Sequence, residues 1–265
     1  GTGNFQEVDL VRAFNTVAGF NHRIQRDSQH AELATLAIKH ALINGDVSHL
    51  TFPDEIQELP AGNEQAQTPE GRLGDKTVSP SEGSLNKALG LIKEAKRPVM
   101  IVGHGARFHM KDIIAFAETL NAPVLTTFKG KGLIPDHHPL AGGVLGRSGT
   151  PIASWFMNES DLLIVLGASF SNHTGITPKK PTIQVDMDPL ALSKFHKIDA
   201  PVWGELSATM KLFREALKDQ VTTTDQRPEV KQRWEIWHKE KEKRLAEDRG
   251  KGINSVTVFS HLSDL

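Results

Sequence analysis

Residues 97–105 read RPVMIVGHG, an apolar run that ends in a Gly-His-Gly turn. Three further apolar runs are followed by glycine or aspartate: VLTTFKGKG at 124–132, LLIVLGASF at 162–170 and TIQVDMDP at 182–189. Unbroken apolar runs are typical of strands that are buried on both faces, and amphipathic helical patterns separate these runs. The sequence therefore predicts an α/β fold of the Rossmann-like type, an open parallel sheet of about five or six strands with helices on both faces.

The remaining elements of this sheet follow from the same periodicities. Helices are predicted over 111–120, 152–157 and 205–218, and a further strand is predicted over 200–203. The residues Ser79-Pro80-Ser81-Glu82 have the form of a helix start, with Ser79 as the N-cap and Pro80 at the first helical position. The glycine-rich residues 141–149 are predicted to form a loop.

Composition divides the chain into four parts, which are residues 1–60, 61–78, 79–220 and 221–265. The first part has a predicted helix over 31–42 and a predicted strand over 47–52. The helix places four apolar residues on one face: Leu33, Leu36, Ala37 and Ala41. This part is too small to bury a core of its own, so we expect the end piece of an α/β domain. The second part is rich in Gly, Pro, Gln and Thr and is predicted to be a linker. The third part carries the sheet, and the fourth is helical.

Composition also limits the partners. The 31 basic and 32 acidic residues leave a formal net charge of -1, so no global field attracts nucleic acid or an anionic membrane surface. Residues 229–249 are densely charged, but their basic and acidic residues are interleaved, which favours a solvated helix over a nucleic-acid patch. No apolar run approaches the roughly 20 residues of a membrane-spanning helix. The absence of cysteine agrees with a reducing, cytoplasmic compartment, and a small-molecule partner is favoured.

The glycine turns are the candidate ligand-binding elements. Because the carboxyl ends of parallel strands meet at one edge of a sheet, backbone N–H groups of these turns are expected to approach a phosphate there. The candidate residues are Gly103, His104, Gly105, Lys131, Gly132, Gly143, Gly146, Gly167, Ala168, Ser169 and Phe170. The alternative is that Gly103 and Gly105 only permit a turn with positive φ. Phe108 stands where the dinucleotide fingerprint needs its third glycine, which argues against an ordinary NAD site.

Two aspartates complete the predicted edge. Asp186 and Asp188 follow a strand, and their carboxylates can accept hydrogen bonds from ribose hydroxyl groups. The alternative is that they cap a helix before Pro189. The histidine pairs His137-His138 and His104/His109 have no carboxylate or third histidine at ligand spacing, so no metal site is predicted in this chain.

These motifs resemble the thiamine-diphosphate-dependent enzymes of the pyruvate oxidase and acetolactate synthase group. Residues 97–105 match the family pattern RPVxIxGxG, and residues 117–124 match AExLxAPV. Residues 183–189, IQVDMDP, are similar to the family's IQIDxDP. At the ends, Phe5-Gln6-Glu7 resembles a motif found late in the pyrimidine-binding domain, and residues 254–265 resemble the first helix of the pyrophosphate-binding domain.

The resemblance gives each part an expected role. It implies that residues 1–60 belong to the pyrimidine-binding domain, that 79–220 form the central nucleotide- or FAD-binding-like domain, and that 221–265 form a linker helix and the start of the pyrophosphate-binding domain. Phe5 and Gln6 would line the substrate side of an active site shared between subunits of a homodimer or homotetramer. The parent enzyme would decarboxylate a 2-oxo acid such as pyruvate, with thiamine diphosphate and Mg²⁺ held outside this chain. No catalytic residue is expected within these 265 residues, and the chain alone is expected to be inactive.

The resemblance leaves the ligand of the central domain open. In flavin-containing members this domain binds FAD, and the glycine loops with Asp186, Asp188 and Glu205 would hold it. Two positions depart from the family pattern: Ser169 replaces a common arginine, and Gly204-Glu205 replaces Gly-Asp. Other members keep the domain without flavin. The alternatives are therefore a stand-alone module that binds NAD or an adenine nucleotide, and a structural spacer that binds nothing.

Overall fold

The computed structural model describes residues 3, 5, 7–60, 62–63, 68–218, 221–247, 250 and 252–263. The chain forms two compact units, Gly1–Lys76 and Thr77–Leu265. No helix among the described residues is long and apolar enough to cross a membrane.

The first unit is built on a parallel pair of strands. Its elements are α1 (Leu10–Phe14), β1 (Phe20–Arg23), α2 (His30–Asn44), β2 (Ser48–Thr51) and α3 (Asp54–Gln57). Helix α2 connects the two strands, and Gly45 with φ 62° ends it in the left-handed conformation. Of the four residues predicted to share one face of α2, Ala37 is buried and Leu36 is 51% exposed.

The second unit contains the predicted sheet and confirms the fold class. Six parallel strands form it: β3 (Pro98–Val102), β4 (Val124–Thr126), β5 (Ala141–Val144), β6 (Leu162–Leu166), β7 (Thr182–Asp186) and β8 (Ala200–Trp203). Their order across the sheet is β5-β4-β3-β6-β7-β8. The chain thus builds outward from β3 to one edge and then returns to the other side of β3. The reversal between β3 and β6 is the switch point at which open α/β sheets bind ligands.

Helices cover both faces of this sheet. They are α4 (Glu82–Glu94), α5 (Met110–Leu120), α6 (Pro151–Glu159), α7 (Leu206–Leu217) and α8 (Arg227–Leu245), followed by α9 (Ser255–Ser263). One core contains residues of α4, α5 and α7, and the other contains residues of α6 and α8. Successive residues of β3 alternate between these cores, with Met100 in the first and Ile101 in the second. This alternation explains why the strand is apolar throughout.

Two local predictions were wrong. Ser81, not Ser79, caps α4, because its side chain accepts a hydrogen bond from the Ser84 amide at 3.3 Å and the helix begins at Glu82. Residues 141–144, predicted as part of a loop, form the edge strand β5. Gly142 packs closely there: a Cβ on it would lie 2.4 Å from the end of the Leu125 side chain in β4, so a larger residue would require Leu125 to shift.

Candidate functional site

The turns after β3 and β6 pack directly against each other at the switch point. The Gly103 amide donates to the Leu166 carbonyl at 3.0 Å, and the Gly105 amide donates to the Gly167 carbonyl at 3.0 Å. A Cβ on Gly103 would lie 2.3 Å from the Gly167 carbonyl oxygen. Positive φ is not the reason for Gly103, whose φ is -107°. Glycine is required at this position because two backbones approach each other too closely for a side chain.

This packing decides which backbone donors remain for a ligand. The amides of Gly103 and Gly105 are used within the protein, and the Gly167 amide donates to the Val185 carbonyl at 3.1 Å. Within the described part of the chain, no acceptor is found for the three successive amides of residues 168–170. The turn after β6 therefore supplies three successive free N–H groups at this edge, and such groups can bind a phosphate.

The loop after β5 reaches the loop after β6. The Arg147 amide donates to the His173 carbonyl at 3.1 Å. Gly146 has φ 146°, and a Cβ there would lie 2.7 Å from the Phe128 ring and 2.9 Å from the His173 carbonyl. Gly143 has φ 82° and would place a Cβ 2.2 Å from the Thr150 hydroxyl. Gly146 thus permits close packing between loops of the carboxyl edge, and Gly143 permits close packing of β5 against Thr150 at the start of α6.

The remaining basic candidate has a partner of its own. Lys131 Nζ lies 2.5 Å from Asp136 Oδ2, and both side chains are more than half exposed. Gly132, with φ 88°, has open space where a Cβ would lie. His104 is exposed beside the switch point. The structure therefore brings these residues to the carboxyl edge in solvated positions.

Asp186 ends β7 in a half-buried position at this edge. Burial raises the pKa of the Asp186 carboxyl above its ordinary value, and the charge of Asp188 raises it further, although the amides of Asp188 and Met187 act in the opposite direction. Asp186 Oδ1 accepts the Asp188 amide at 3.0 Å, and Asp188 Oδ1 accepts the Leu190 amide at 2.9 Å. A turn follows rather than a helix, so neither aspartate caps a helix. Carboxyl groups whose pKa is shifted by burial are common at functional sites.

The Glu205 carboxylate already contacts two groups within the chain. Its Oε2 accepts the Ala208 amide at 2.5 Å and so caps α7, while its Oε1 lies 2.6 Å from His109 Nδ1. His109 Nδ1 also lies 3.1 Å from the Ser207 hydroxyl. A ligand would have to compete with these contacts for the Glu205 carboxylate. Sequence reasoning missed the His109 contact, since the two residues meet only through the tertiary fold.

Gln184 and His196 were also missed as residues of this edge. Gln184 is buried in β7, and its side chain donates to the Ala191 carbonyl at 3.0 Å and accepts the Ser193 amide at 2.9 Å. It thereby holds the segment that leads to His196. The His196 ring meets Phe170 edge-on at 4.8 Å, and its buried Nε2 has no partner within the described residues. A polar residue inside the apolar run TIQVD was the available signal, because a buried amide needs hydrogen-bond partners.

Three other residues are singled out by the sequence. Phe5 belongs to the first unit and is 88% exposed, and Gln6 lies outside the described residues. His138 is placed 3.4 Å from Glu118, and its Nδ1 accepts the Leu140 amide at 3.2 Å. Across the described ranges, no group of three or more His, Asp or Glu side chains is placed to hold a metal ion.

Comparison with known proteins places these features in a family. Residues 85–213 match the family described as "Thiamine pyrophosphate enzyme, central domain". The chain is 33% identical over 223 residues to the "Probable acetolactate synthase large subunit" of Methanococcus aeolicus, covering 80% of this chain and 37% of that protein. It is 31% identical over 200 residues to the "Putative thiamine pyrophosphate-containing protein YdaP" of Bacillus subtilis (strain 168), covering 76% of this chain and 35% of that protein. A third relative, "Acetolactate synthase isozyme 1 large subunit" of Escherichia coli (strain K12), is 31% identical over 209 residues, which are 73% of this chain and 35% of that protein.

The chain thus spans little more than a third of the length of these relatives. The family match lies within the unit that carries the six-stranded sheet. Thiamine pyrophosphate is another name for thiamine diphosphate, so the match agrees with the resemblance that the sequence motifs carry. The chain belongs to the thiamine pyrophosphate enzyme family and contains the central domain of that family.

Proposed function

We propose that this chain is the middle of a thiamine-diphosphate-dependent enzyme that decarboxylates a 2-oxo acid such as pyruvate and passes on the two-carbon unit. The acetolactate synthase names of two relatives support this class, and pyruvate oxidase is the related alternative. Thiamine diphosphate, when bound, supplies the carbanion chemistry of such a reaction. The residues that hold it with Mg²⁺ are proposed to lie outside these 265 residues, which would be inactive alone.

The domain assignments form part of the same proposal. Residues 1–60 are assigned to the pyrimidine-binding domain, 61–78 to a linker, 79–220 to the central domain, and 221–265 to a linker helix and the start of the pyrophosphate-binding domain. Phe5 and Gln6 are assigned to the substrate side of an active site shared between subunits, which requires a homodimer or homotetramer. The lack of cysteine supports a reducing compartment such as the cytoplasm.

We further propose that the carboxyl edge of the six-stranded sheet binds an adenine nucleotide, with FAD as the first candidate. The observation that carries this proposal is the pairing of free amides at residues 168–170 with the half-buried carboxylate of Asp186 on the neighbouring strand. Amides of this kind bind phosphate oxygens, and a carboxylate accepts hydrogen bonds from ribose. Phe170 adds an aromatic surface beside His196.

The residues of the edge fit this group in part. The turn after β6 would supply the phosphate partners and the end of β7 the ribose partner, and FAD, when bound, supplies a redox-active ring system. Ser169 offers its amide where an arginine is common in the family, so binding would depend on backbone donors more than on charge. Glu205 contributes only if it releases His109.

The full-length gene product provides the test. We expect it to decarboxylate pyruvate with added thiamine diphosphate and Mg²⁺, and to show absorption bands at about 370 and about 450 nm from oxidised flavin. A colourless protein that turns over pyruvate would contradict FAD binding but agree with the proposed enzyme class. Absence of turnover with pyruvate and with other 2-oxo acids would contradict the enzyme class. Turnover by residues 1–265 alone would show that the active site was placed wrongly.

A further inference from the structure

Helix α8 presents a mostly basic face that also carries one tryptophan. Its residues follow one another at intervals of three or four: Arg233, Ile236 or Trp237, Glu240, and Lys243 or Arg244. This face and the first turns of α6 enclose a groove of about 500 Å³. Trp155 and Trp237 form aromatic walls of the groove. None of the residues that line it belongs to the carboxyl edge described above.

Arg233 is a half-buried cation that forms no ion pair with any residue the structure describes. Its guanidinium lies 3.4 Å from the centre of the Trp155 ring, and its Nε is buried without a hydrogen-bond acceptor in the described part of the chain. Glu229 is close enough for the Arg233 charge to lower its pKa, but its two oxygens already accept hydrogen bonds from Arg97 and Trp155. The positive charge of Arg233 is therefore only partly offset within the protein, which favours an anion brought to the groove by a ligand.

The charges around the groove are unbalanced. Four cations line it, Arg233, Lys239, Lys243 and Arg244, against the single carboxylate of Glu240. Glu240 is itself paired with Arg244 at 3.2 Å. Lys239 and Lys243 lie at i and i+4 and repel each other, and neither forms an ion pair with any residue that the structure describes. The N-terminus of α6, capped by Thr150, adds positive potential at the end of the groove.

Size and lining together define the class of ligand. A groove of about 500 Å³ lies within the range of small-molecule sites. Its charge selects an anion, and its tryptophan walls suit a planar ring. We propose that this groove binds a phosphorylated ligand that carries an aromatic ring, of the nucleoside diphosphate class. Because it shares no residue with the carboxyl edge, this site stands independently of the proposed FAD site.

The test titrates ADP into the 265-residue chain and follows tryptophan fluorescence, with calorimetry as a second readout. The variant is Lys239→Glu combined with Lys243→Glu, which reverses two exposed charges of the groove. The matched control is Lys87→Glu combined with Lys93→Glu, which makes the same change in charge on exposed positions of α4 over the other face of the sheet. Thermal melting of both variants establishes whether they fold. If the charge-reversal variant of the groove does not fold, the milder Lys239→Gln combined with Lys243→Gln replaces it.

Because ADP can also occupy the proposed carboxyl-edge site, all proteins in this test carry Asp186→Asn, which is expected to weaken that site. In this background we expect the groove variant to bind ADP at least tenfold more weakly than the protein without lysine changes, and the control to bind it equally well. Adenosine and inorganic pyrophosphate should each bind at least tenfold more weakly than ADP. Equal affinity of the groove variant and the control would overturn the site, since binding would then lie elsewhere, for example at the carboxyl edge. Absence of ADP binding at millimolar concentration would overturn it as well. Pyrophosphate binding as tight as that of ADP would overturn the proposed ligand class.

Discussion

Arg97 donates a hydrogen bond to Glu229 at 2.6 Å, although 132 residues separate them in the sequence. Arg97 directly precedes β3 in the centre of the sheet, and Glu229 lies in the first turn of α8. Trp155 of α6 donates to the second oxygen of Glu229 at 2.7 Å. One carboxylate therefore ties the long charged helix to both the sheet and the helix packed on it.

Replacing Glu229 with alanine is expected to destabilise the second unit by about 2 kcal/mol, because hydrogen bonds to a charged group are lost and two donors are left without their acceptor. Urea unfolding followed by tryptophan fluorescence measures the change. Glu235→Ala, at an exposed position of the same helix, is the control and should change the free energy of unfolding by less than about 0.5 kcal/mol. Equal effects of the two substitutions would contradict the role given to Glu229.

The same contact predicts a dependence of stability on acid pH. Partial burial opposes ionisation of Glu229, but hydrogen bonds from Arg97 and Trp155 and the charges of Arg97 and Arg233 outweigh it and lower the pKa of Glu229 below 4.5. A lowered folded-state pKa stabilises the fold above the unfolded-state pKa, and this contribution is lost as pH falls through the folded-state value. The difference in melting temperature between the unmodified chain and Glu229→Gln should therefore be constant from pH 7 to 5.5 and shrink below about pH 4.5. A difference that grows on acidification would refute this sign.

Asp186 predicts the opposite dependence of stability on pH. Burial raises the pKa of Asp186, so the folded state holds its proton more tightly than the unfolded state, and ionisation at neutral pH costs stability. Asp186→Asn keeps an acceptor for the Asp188 amide and removes the charge. It should raise the melting temperature at pH 7, with an advantage that disappears below the unfolded-state pKa of about 3.9.

The same substitution in the full-length protein is expected to weaken FAD or ADP binding at the edge by about tenfold, because one good hydrogen bond to a charged group is lost. Glu94→Gln, at an exposed position of α4, is the control for the loss of one negative charge. An Asp186→Asn protein that is less stable at pH 7 would show that the carboxylate serves the fold. Unchanged nucleotide affinity would separate Asp186 from the proposed site.

A matched pair of glycine substitutions tests the packing at the switch point. Gly103→Ala would place a methyl group 2.3 Å from the backbone oxygen of Gly167, so a loss of about 2–4 kcal/mol is expected. Gly90 lies inside α4 with open space around it, and Gly90→Ala should stabilise the chain by up to about 1 kcal/mol. Chemical unfolding of both variants decides the question. A tolerated Gly103→Ala would mean that the two turns can separate.

The parts of the fold that could be predicted are those with a strong local pattern. Strands β3 and β6 are five-residue apolar runs buried on both faces, and such runs mark buried strands in any sequence. Strand β5, with the sequence AGGV, could not be recognised, because two of its four residues are glycine and its pairing with β4 is irregular. Strand β1, FNHR, is polar and becomes a strand only through its partner β2.

The location of the candidate site could be predicted from the sequence better than the role of each residue in it. Parallel strands bring the glycine turns to one edge, which the order of elements implies. Whether a glycine faces a ligand or another backbone depends on how closely two turns approach in the tertiary structure, as at Gly103, where a Cβ would lie 2.3 Å from the Gly167 carbonyl oxygen. The contacts of His109 with Glu205 and of Gln184 with Ser193 depend equally on tertiary structure. Sequence spacing carries no signal for such contacts.

The two outer strands of the six-stranded sheet disfavour the addition of a strand from another copy of this chain. At one edge, β5 is four residues long and irregularly paired, and its Ala141 carbonyl accepts a hydrogen bond from the Trp234 indole at 2.7 Å. At the other edge, β8 is also four residues long and contains Pro201, which has no N–H to offer. Short, bulged or proline-bearing outer strands are poor templates for an incoming strand. The sheet is thus protected on both sides against aggregation by edge-to-edge strand addition.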